Sequence, residues 1–549
     1  MLFKGGCDRI VQTAMPKRRR IRTERRSRAA AAAGILMKKR NGYDGGRRKR
    51  KARIRKLLLA LVSILLAAVL GFLCVILWHV WQPVTIPVLP EGLQQEAGNQ
   101  VSQTEEETWA VTEAPEDSGL KDSSNEAINA ANRLARMYDY EGARAAITAI
   151  PGYETDEECQ AALAVYEDLE AQCVPWERYD QITHIFFHIL TVDEELAYSS
   201  DNRDNYNQVM TTVDEFKQII QSMYEKGYVL ISLHKIAKME LQPDGTEKMV
   251  KQEIRLPKGK KPFVLSEDDV CYYEYMEGEG FATKLCLDEN GKVVNEYVNR
   301  DGSVSYGAYD VLPILEEFIE EHPDFSYQGS KGILAFTGYN GVLGYRTSDF
   351  WYAENCDYYI SDEKNDRLKQ TEYSWPNLNI EQDKQTAKQV AQAIRDLGWE
   401  MASHSWGHIN MKKSDISKFV WDTDLWEREV EPIIGETDIL LYPFGADVGE
   451  WMASEYGAQN ERYMKLKSVG FNYFCNVDSA QYWVQIGDSF FRQGRRNMDG
   501  QMMYKQIVYP QKLLTGDLFD AETVFSKNRP VPVPGVTLPE PETQTQAEQ

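Results

Sequence analysis

The chain has 549 residues, 43% of them hydrophobic and 11% aromatic, which is room for two or three domains with a packed core. Its formal charge of −22 is unevenly spread: residues 1–56 hold 21 Lys/Arg and three acids, leaving 41 basic against 81 acidic residues in the rest. So acidic a body excludes general nucleic-acid binding, which needs basic surface to meet phosphates; eight cysteines without a CxxC argue against a disulfide scaffold and a zinc–thiolate site.

In chain order, residues 1–56 form a basic tail, and residues 57–78 (LLLALVSILLAAVLGFLCVILW) form an apolar run without a charge. At 1.5 Å per residue this run reaches about 33 Å, enough for a hydrocarbon core of roughly 30 Å. Arg53, Arg55 and Lys56 precede it and Trp78 and Trp81 stand at its far end. The expectation is a transmembrane helix over 57–81, with the N-terminus cytoplasmic and the remainder outside. A cleaved signal peptide is the weaker alternative, because the run exceeds the roughly 7–15 apolar residues of such segments.

Residues 82–121, rich in Glu, Thr, Gln and Pro, read as a disordered spacer. Over 122–175, apolar residues recur at helical spacing (Ala127, Ala130, Leu134, Met137, then Tyr140, Ala143, Ile147), predicting a small helical unit that packs on the next domain. From about 180 to 526, β-branched runs alternate with amphipathic segments. Strands are expected at 182–188, 228–233, 261–266, 332–337, 400–403, 439–442 and 472–477. Thr212-Val-Asp-Glu215 is a capping box opening a helix to about Lys226, and a helix over 383–397 ends at Gly398. Such βα alternation predicts an α/β fold with a parallel sheet or barrel. Residues 271–328 interrupt it with turn signals at Asn290-Gly291 and Asp301-Gly302, expected as hairpins of an insertion. Residues 527–549, Pro- and Gln-rich, are expected as a disordered tail. Cys159 with Cys173 and Cys271 with Cys286 are candidate disulfides, with isolated buried thiols the alternative.

Two clusters carry potential chemistry. Asp268 and Asp269 follow an apolar strand, and adjacent carboxylates there repel unless a metal or hydrogen-bond network holds them. His404 and His408 stand four apart just after another strand; on a helix this spacing puts both on one face, able to share a metal.

Together these pieces resemble the polysaccharide deacetylases with a NodB homology domain (carbohydrate esterase family 4). Residues 262–270 (PFVLSEDDV) resemble the family's TFDDG motif, His404-Ser-Trp-Gly-His408 its H-[ST]-x-x-H motif, and residues 441–445 (LYPFG) its third motif. Phe187-His188 is similar to the Tyr-His at the domain's start, and the order agrees over about residues 180–510. The resemblance implies a distorted (β/α) barrel, with Asp268 as general base. Asp269, His404 and His408 would hold a divalent metal, zinc in the usual case. Pro443, Phe444 and Gly445 would line the substrate and oxyanion site, and Ser405 would fix the loop. Implied partners are an N-acetylated polysaccharide and, through the N-terminal helix, a bacterial cell membrane with the catalytic domain outside; no nucleic acid is expected.

The chain departs from the family pattern in several places. Glu267 and Val270 replace the usual Phe and Gly, and Leu441 stands where many members have an Arg that orients the base. No histidine follows His408, which leaves His188 as the candidate general acid, with a structural histidine the alternative. Asp478 and Trp483 only loosely match the fourth motif, and Arg492 and Arg495 serve either binding or ordinary salt bridges. Tyr339, Tyr345, Trp351, Tyr352, Trp406, Trp451 and Trp483 are candidates for stacking on sugar rings or for the core. A non-catalytic glycan- or metal-binding module and an O-acetyl esterase are the competing functional readings.

Overall fold

A computed structural model describes residues 119–348, 379–478 and 482–539. These all belong to one compact unit, Glu107–Gln549. The basic tail, the apolar run at 57–78 and the spacer up to residue 118 lie outside the described residues, as do Trp351, Tyr352 and Cys356. Among the described residues no helix is long and apolar enough to cross a membrane.

The seven expected runs become strands and an eighth forms at 491–497: β1 Thr183–His188, β2 Tyr228–Leu230, β3 Lys261–Asp268, β4 Ile333–Phe336, β5 Glu400–Ser403, β6 Ile439–Leu441, β7 Tyr473–Val477 and β8 Phe491–Asn497. Seven of them close a parallel barrel in the order β4-β5-β6-β7-β8-β1-β3, with β3 returning to β4. β1 pairs with β3 from Thr183 opposite Phe263 to His188 opposite Asp268. On the other edge of β3, β2 takes the first residues and β4 the later ones, Ser266 and Glu267. That shared edge is the barrel's distortion. Burial on both faces explains why these strands read as continuous hydrophobic runs rather than alternating ones.

Alternate residues serve different cores. Ile185, Phe187, Leu265, Leu334, Phe336, Leu440 and Phe474 pack in the cluster shared with the surrounding helices. Those helices include α4 Val213–Glu225, α5 Val311–Glu321, α6 Ile380–Asp396, α7 Ile416–Glu429 and α8 Glu461–Ser468. Truncating one such side chain, Leu265→Ala for example, costs about 2–5 kcal/mol. Val264, Ile333, Ala335, Ala402, Ile439, Leu441, Cys475 and Phe491 form a second cluster. Towards the strand ends the residues in this second phase turn polar: His184, Ser266 and Gln493 bond together, and beyond them come Asp268 and Arg495. The chemistry is therefore gathered at the carboxyl ends of the strands, where barrel sites form.

The helical unit is α1 Glu126–Arg136, α2 Tyr140–Thr148 and α3 Glu157–Ala171, each opened by an Asn or Asp cap. It shares the second cluster, and Gln328 donates its N–H to the Met137 carbonyl at 2.6 Å. The capping box forms as predicted, with Thr212 and Glu215 bonding reciprocally at 2.8 and 3.1 Å. The 271–328 segment holds an antiparallel sheet of Lys284–Leu287, Val293–Val298 and Val304–Gly307, turning at the two predicted Asn-Gly and Asp-Gly sites; α5 follows it. A hairpin of Ala237–Leu241 with Glu247–Lys251 was not legible in the sequence.

One expectation is corrected. The segment beyond residue 526 does not leave the fold at once: Arg529 is buried and its guanidinium holds both Glu215 oxygens at 2.6 Å and the Met210 carbonyl at 2.7 Å. Its Pro-rich composition conceals one arginine matched to a buried carboxylate, and such a pair resists separation. The five described cysteines, Cys159, Cys173, Cys271, Cys286 and Cys475, are free and buried, so neither candidate disulfide forms.

Candidate metal centre

β3 ends at Asp268, and the chain turns away at Asp269 with φ +61°. The Asp268 carboxylate is buried; Arg495 Nη1 from β8 donates to one oxygen at 2.6 Å, and the other oxygen lies 3.7 Å from His404 Nε2. Burial pushes this carboxyl up, but the Arg495 guanidinium first and the neighbouring His404 imidazole next outweigh it and hold it below the ordinary carboxylate range. Asp269 is likewise held low against its burial, by His408 first and then His404 and His188.

His404 follows β5. Its Nδ1 faces the Leu441 carbonyl at 2.7 Å, so Nδ1 carries the proton and Nε2 presents a lone pair to the site. His408 Nε2 stands 3.9 Å from Asp269 Oδ1, and its ring packs edge-on against Phe444 at 4.5 Å. One donor atom from each of Asp269, His404 and His408 lies within 4.8 Å of the others. A tetrahedral ion with bonds of about 2.1 Å needs ligands roughly 3.4 Å apart, so the widest separation in the set would close by up to about 1.4 Å around an ion. Two imidazoles and one carboxylate suit zinc and neighbouring divalent ions, with positions left for water and substrate.

The route to this geometry differs from the helical reading. His404 and His408 lie on an irregular loop, not on one face of a helix. The loop doubles back through positive φ at Ser405 (57°) and His408 (49°). Ser405 Oγ accepts from Ile409 N–H at 3.0 Å. The larger anchor was not anticipated: Asp422 on α7 accepts from the Trp406 and Gly407 N–H groups at 2.9 and 2.8 Å, and burial pushes its carboxyl up to about 7. Of eight non-glycine residues with positive φ among the described residues, four are site members: Asp269, Ser405, His408 and Phe444. Each such residue costs about 1–3 kcal/mol and persists where its surroundings over-determine it, a habit of functional sites.

Pro443-Phe444-Gly445 forms a turn just after β6, with Phe444 at φ +58° and 68% exposed. Proline lacks an N–H and the Gly445 N–H closes the turn onto the Tyr442 carbonyl at 3.0 Å. That leaves Phe444 as the backbone donor of the three. Glycine at 445 is required twice over: φ is +62° and a Cβ would come within 2.7 Å of the Val477 nitrogen. His188, at the end of β1 beside Asp268, points Nδ1 at the Val209 carbonyl at 3.2 Å, which leaves Nε2 for the site.

Several departures from the family pattern acquire physical reasons. Arg495 on β8 pairs with Asp268 at 2.6 Å, where Leu441 offers no charge. The clue in the sequence is the three arginines Arg492, Arg495 and Arg496 within the stretch that becomes the buried strand β8. Arg492 instead binds Asp447 at 2.7 Å, and Arg496 binds Asp517 at 2.7 Å. Glu267 turns away from Asp269, His404 and His408 to the opposite face of β3, where it meets Asp310, the cap of α5. Burial pushes Glu267 well above the ordinary carboxyl range and Asp310 up to about 6. Trp406 and Tyr339 are buried in the core, which removes them as stacking surfaces; Trp451, 70% exposed on the loop after β6, remains open. Asp478 donates its N–H to the Arg495 carbonyl at 3.2 Å.

No family model matches the chain, and no curated protein matches it. Among solved structures it is similar to the Streptococcus pyogenes deacetylase PplD in complex with acetate, with 12% identity over 60% of this chain and 95% of that one, at a TM-score of 0.29. It is also similar to BA0330 from Bacillus anthracis, assigned as a polysaccharide deacetylase, with 9% identity over 59% of this chain and 65% of that one, again at 0.29. At such TM-scores neither likeness carries functional weight.

Proposed function

We propose that the chain is a metal-dependent deacetylase that removes N-acetyl groups from a cell-envelope or extracellular polysaccharide. The observation that carries this reading is the convergence of Asp269, His404 and His408 beside an ionised Asp268 that Arg495 holds in place. A divalent ion such as zinc supplies Lewis-acid polarisation of a carbonyl and a nucleophile at neutral pH. Asp268 accepts the proton of the attacking water. The Phe444 N–H donates to the oxygen on which charge develops. His188 gives a proton to the departing amine as the C–N bond breaks, yielding acetate and a free amino sugar. Phe444, packed against His408, offers an exposed aromatic face for a sugar ring, and Trp451 on the loop after β6 is exposed as well. The apolar run at 57–78 would anchor the enzyme in a bacterial cell membrane, and the spacer would give it reach outside.

The test is acetate release from N-acetylglucosamine oligomers by the full-length protein, with matched O-acetyl substrates alongside. Zinc-dependent release that vanishes in Asp268→Asn supports the proposal. Release only from esters would make the protein an esterase, and zinc binding without release from either substrate would make it a binding module.

A further inference from the structure

We infer that Tyr273 is a positioning residue for the metal: its hydroxyl sets the Asp269 carboxylate for coordination, and the inserted sheet buttresses the segment that delivers it. The inference rests on the metal centre proposed above.

Tyr273 Oη donates to Asp269 Oδ1 at 2.8 Å, the same oxygen that faces His408. Asp269 needs such a partner. It lies beyond the end of β3 in a left-handed conformation, so no strand ladder fixes its side chain. The tyrosine ring is itself held: it stacks on Tyr275 at 5.4 Å and leans on Tyr339 at 5.6 Å, and its hydroxyl also meets Thr337 Oγ1 at 3.4 Å. Of the partners around this buried hydroxyl, the Asp269 carboxylate is the nearer, at 2.8 Å against 3.4 Å for Thr337 Oγ1, and it is the charged acceptor.

The backbone that carries Tyr273 is stitched to the fold at each step. Val270 donates its N–H to the Ala335 carbonyl and accepts from Leu343 N–H, both at 3.1 Å. Glu274 N–H donates to Asn340 Oδ1 at 3.2 Å. The neighbouring Tyr272 Oη accepts from Asn295 Nδ2 at 3.1 Å, and Asn295 is buried on the central strand of the inserted sheet. A chain of contacts thus runs from the insertion through Tyr272 and Tyr273 to the ligand. Val270 stands where the resembled motif has glycine, so rigidity here comes from side-chain packing instead of a glycine turn.

Partners that orient a metal ligand typically control affinity by roughly 10–100-fold. Zinc affinity of the full-length protein, measured by competition with a chromophoric chelator, tests this directly. Tyr273→Phe keeps the ring stack and removes only the hydroxyl. The expected result is zinc bound roughly 10–100-fold more weakly, with an unchanged melting temperature of the metal-free form. His404→Ala should abolish binding and so reports on the metal centre itself. If Tyr273→Phe does not fold, Tyr273→Met serves as a second variant without the hydroxyl. Affinity within threefold of the parent in the folded variant, while His404→Ala loses zinc, overturns the role of Tyr273 alone. Absence of zinc binding by the parent overturns the metal centre and this inference together.

Discussion

Strands β5 and β6 carry a histidine–carboxylate cluster at each end, and the two clusters are built oppositely. At the amino end, His234 is bonded on both nitrogens, to Glu400 at the first residue of β5 and to Asp438 just before β6, the latter at 3.0 Å. That cluster is closed: each ring nitrogen has its carboxylate. At the carboxyl end, His404 and His408 stop 3.7 and 3.9 Å from Asp268 and Asp269, and strained backbone holds them there. There the imidazoles and these two carboxylates converge without closing onto one another. The same residue types make a clasp where they satisfy one another and a binding site where the fold prevents it.

If the open end is a catalytic centre, its residues will govern rate and metal, and the closed end will govern stability alone. The largest expected effect is on Asp268→Asn, which should lower kcat by roughly 10²–10⁴-fold while zinc binding persists; loss of zinc instead would make Asp268 a ligand. Next, Arg495→Met leaves a buried carboxylate unpaired, which costs about 3–5 kcal/mol by denaturant titration. Because Arg495 holds the Asp268 carboxyl down, its loss should also move the acid limb of the rate–pH profile to higher pH.

Smaller effects lie away from the centre. Glu267 and Asp310 have raised pKa values, so their contribution is full below the unfolded values and is lost as pH rises through the folded ones, about 6 for Asp310. Thermal melts should therefore weaken from pH 5 to pH 8, and Glu267→Gln should flatten that trend. The smallest effect is expected for His234→Gln. Its carboxylates raise the His234 pKa to about 10 against the opposing effect of burial, so its stabilisation is complete below about 6.5 and fades as pH climbs towards 10. The ring is partly exposed and solvent-screened, so the loss near neutral pH should be about 1 kcal/mol, with zinc affinity unchanged. A change in zinc affinity would break the division between the two ends.

Much of this division was legible in sequence, and for identifiable reasons. Strand runs such as 261–266 and the helix ended by Gly398 announce themselves through composition and caps, because local chemistry decides them. Asp268, Asp269, His404 and His408 stand out because motif and spacing are local too. What escaped depends on pairing across the chain. Arg495 reaches Asp268 only because β8 lies beside β1 and β1 beside β3, and Asp422 reaches the His404 loop only through the packing of α7. The clasp at His234 escaped for the same reason: its three members are 166 and 204 residues apart. Arg529 was hidden by composition, since a Pro-rich segment gives no local sign of a buried partner.

Zinc K-edge absorption spectroscopy of the loaded full-length protein tests the central claim most directly. The account predicts one ion per chain with two imidazole nitrogens and at least one oxygen at about 2.0–2.2 Å, and one imidazole lost in His408→Ala. A shell containing sulfur or lacking imidazole, or a spectrum indifferent to His408, would contradict it.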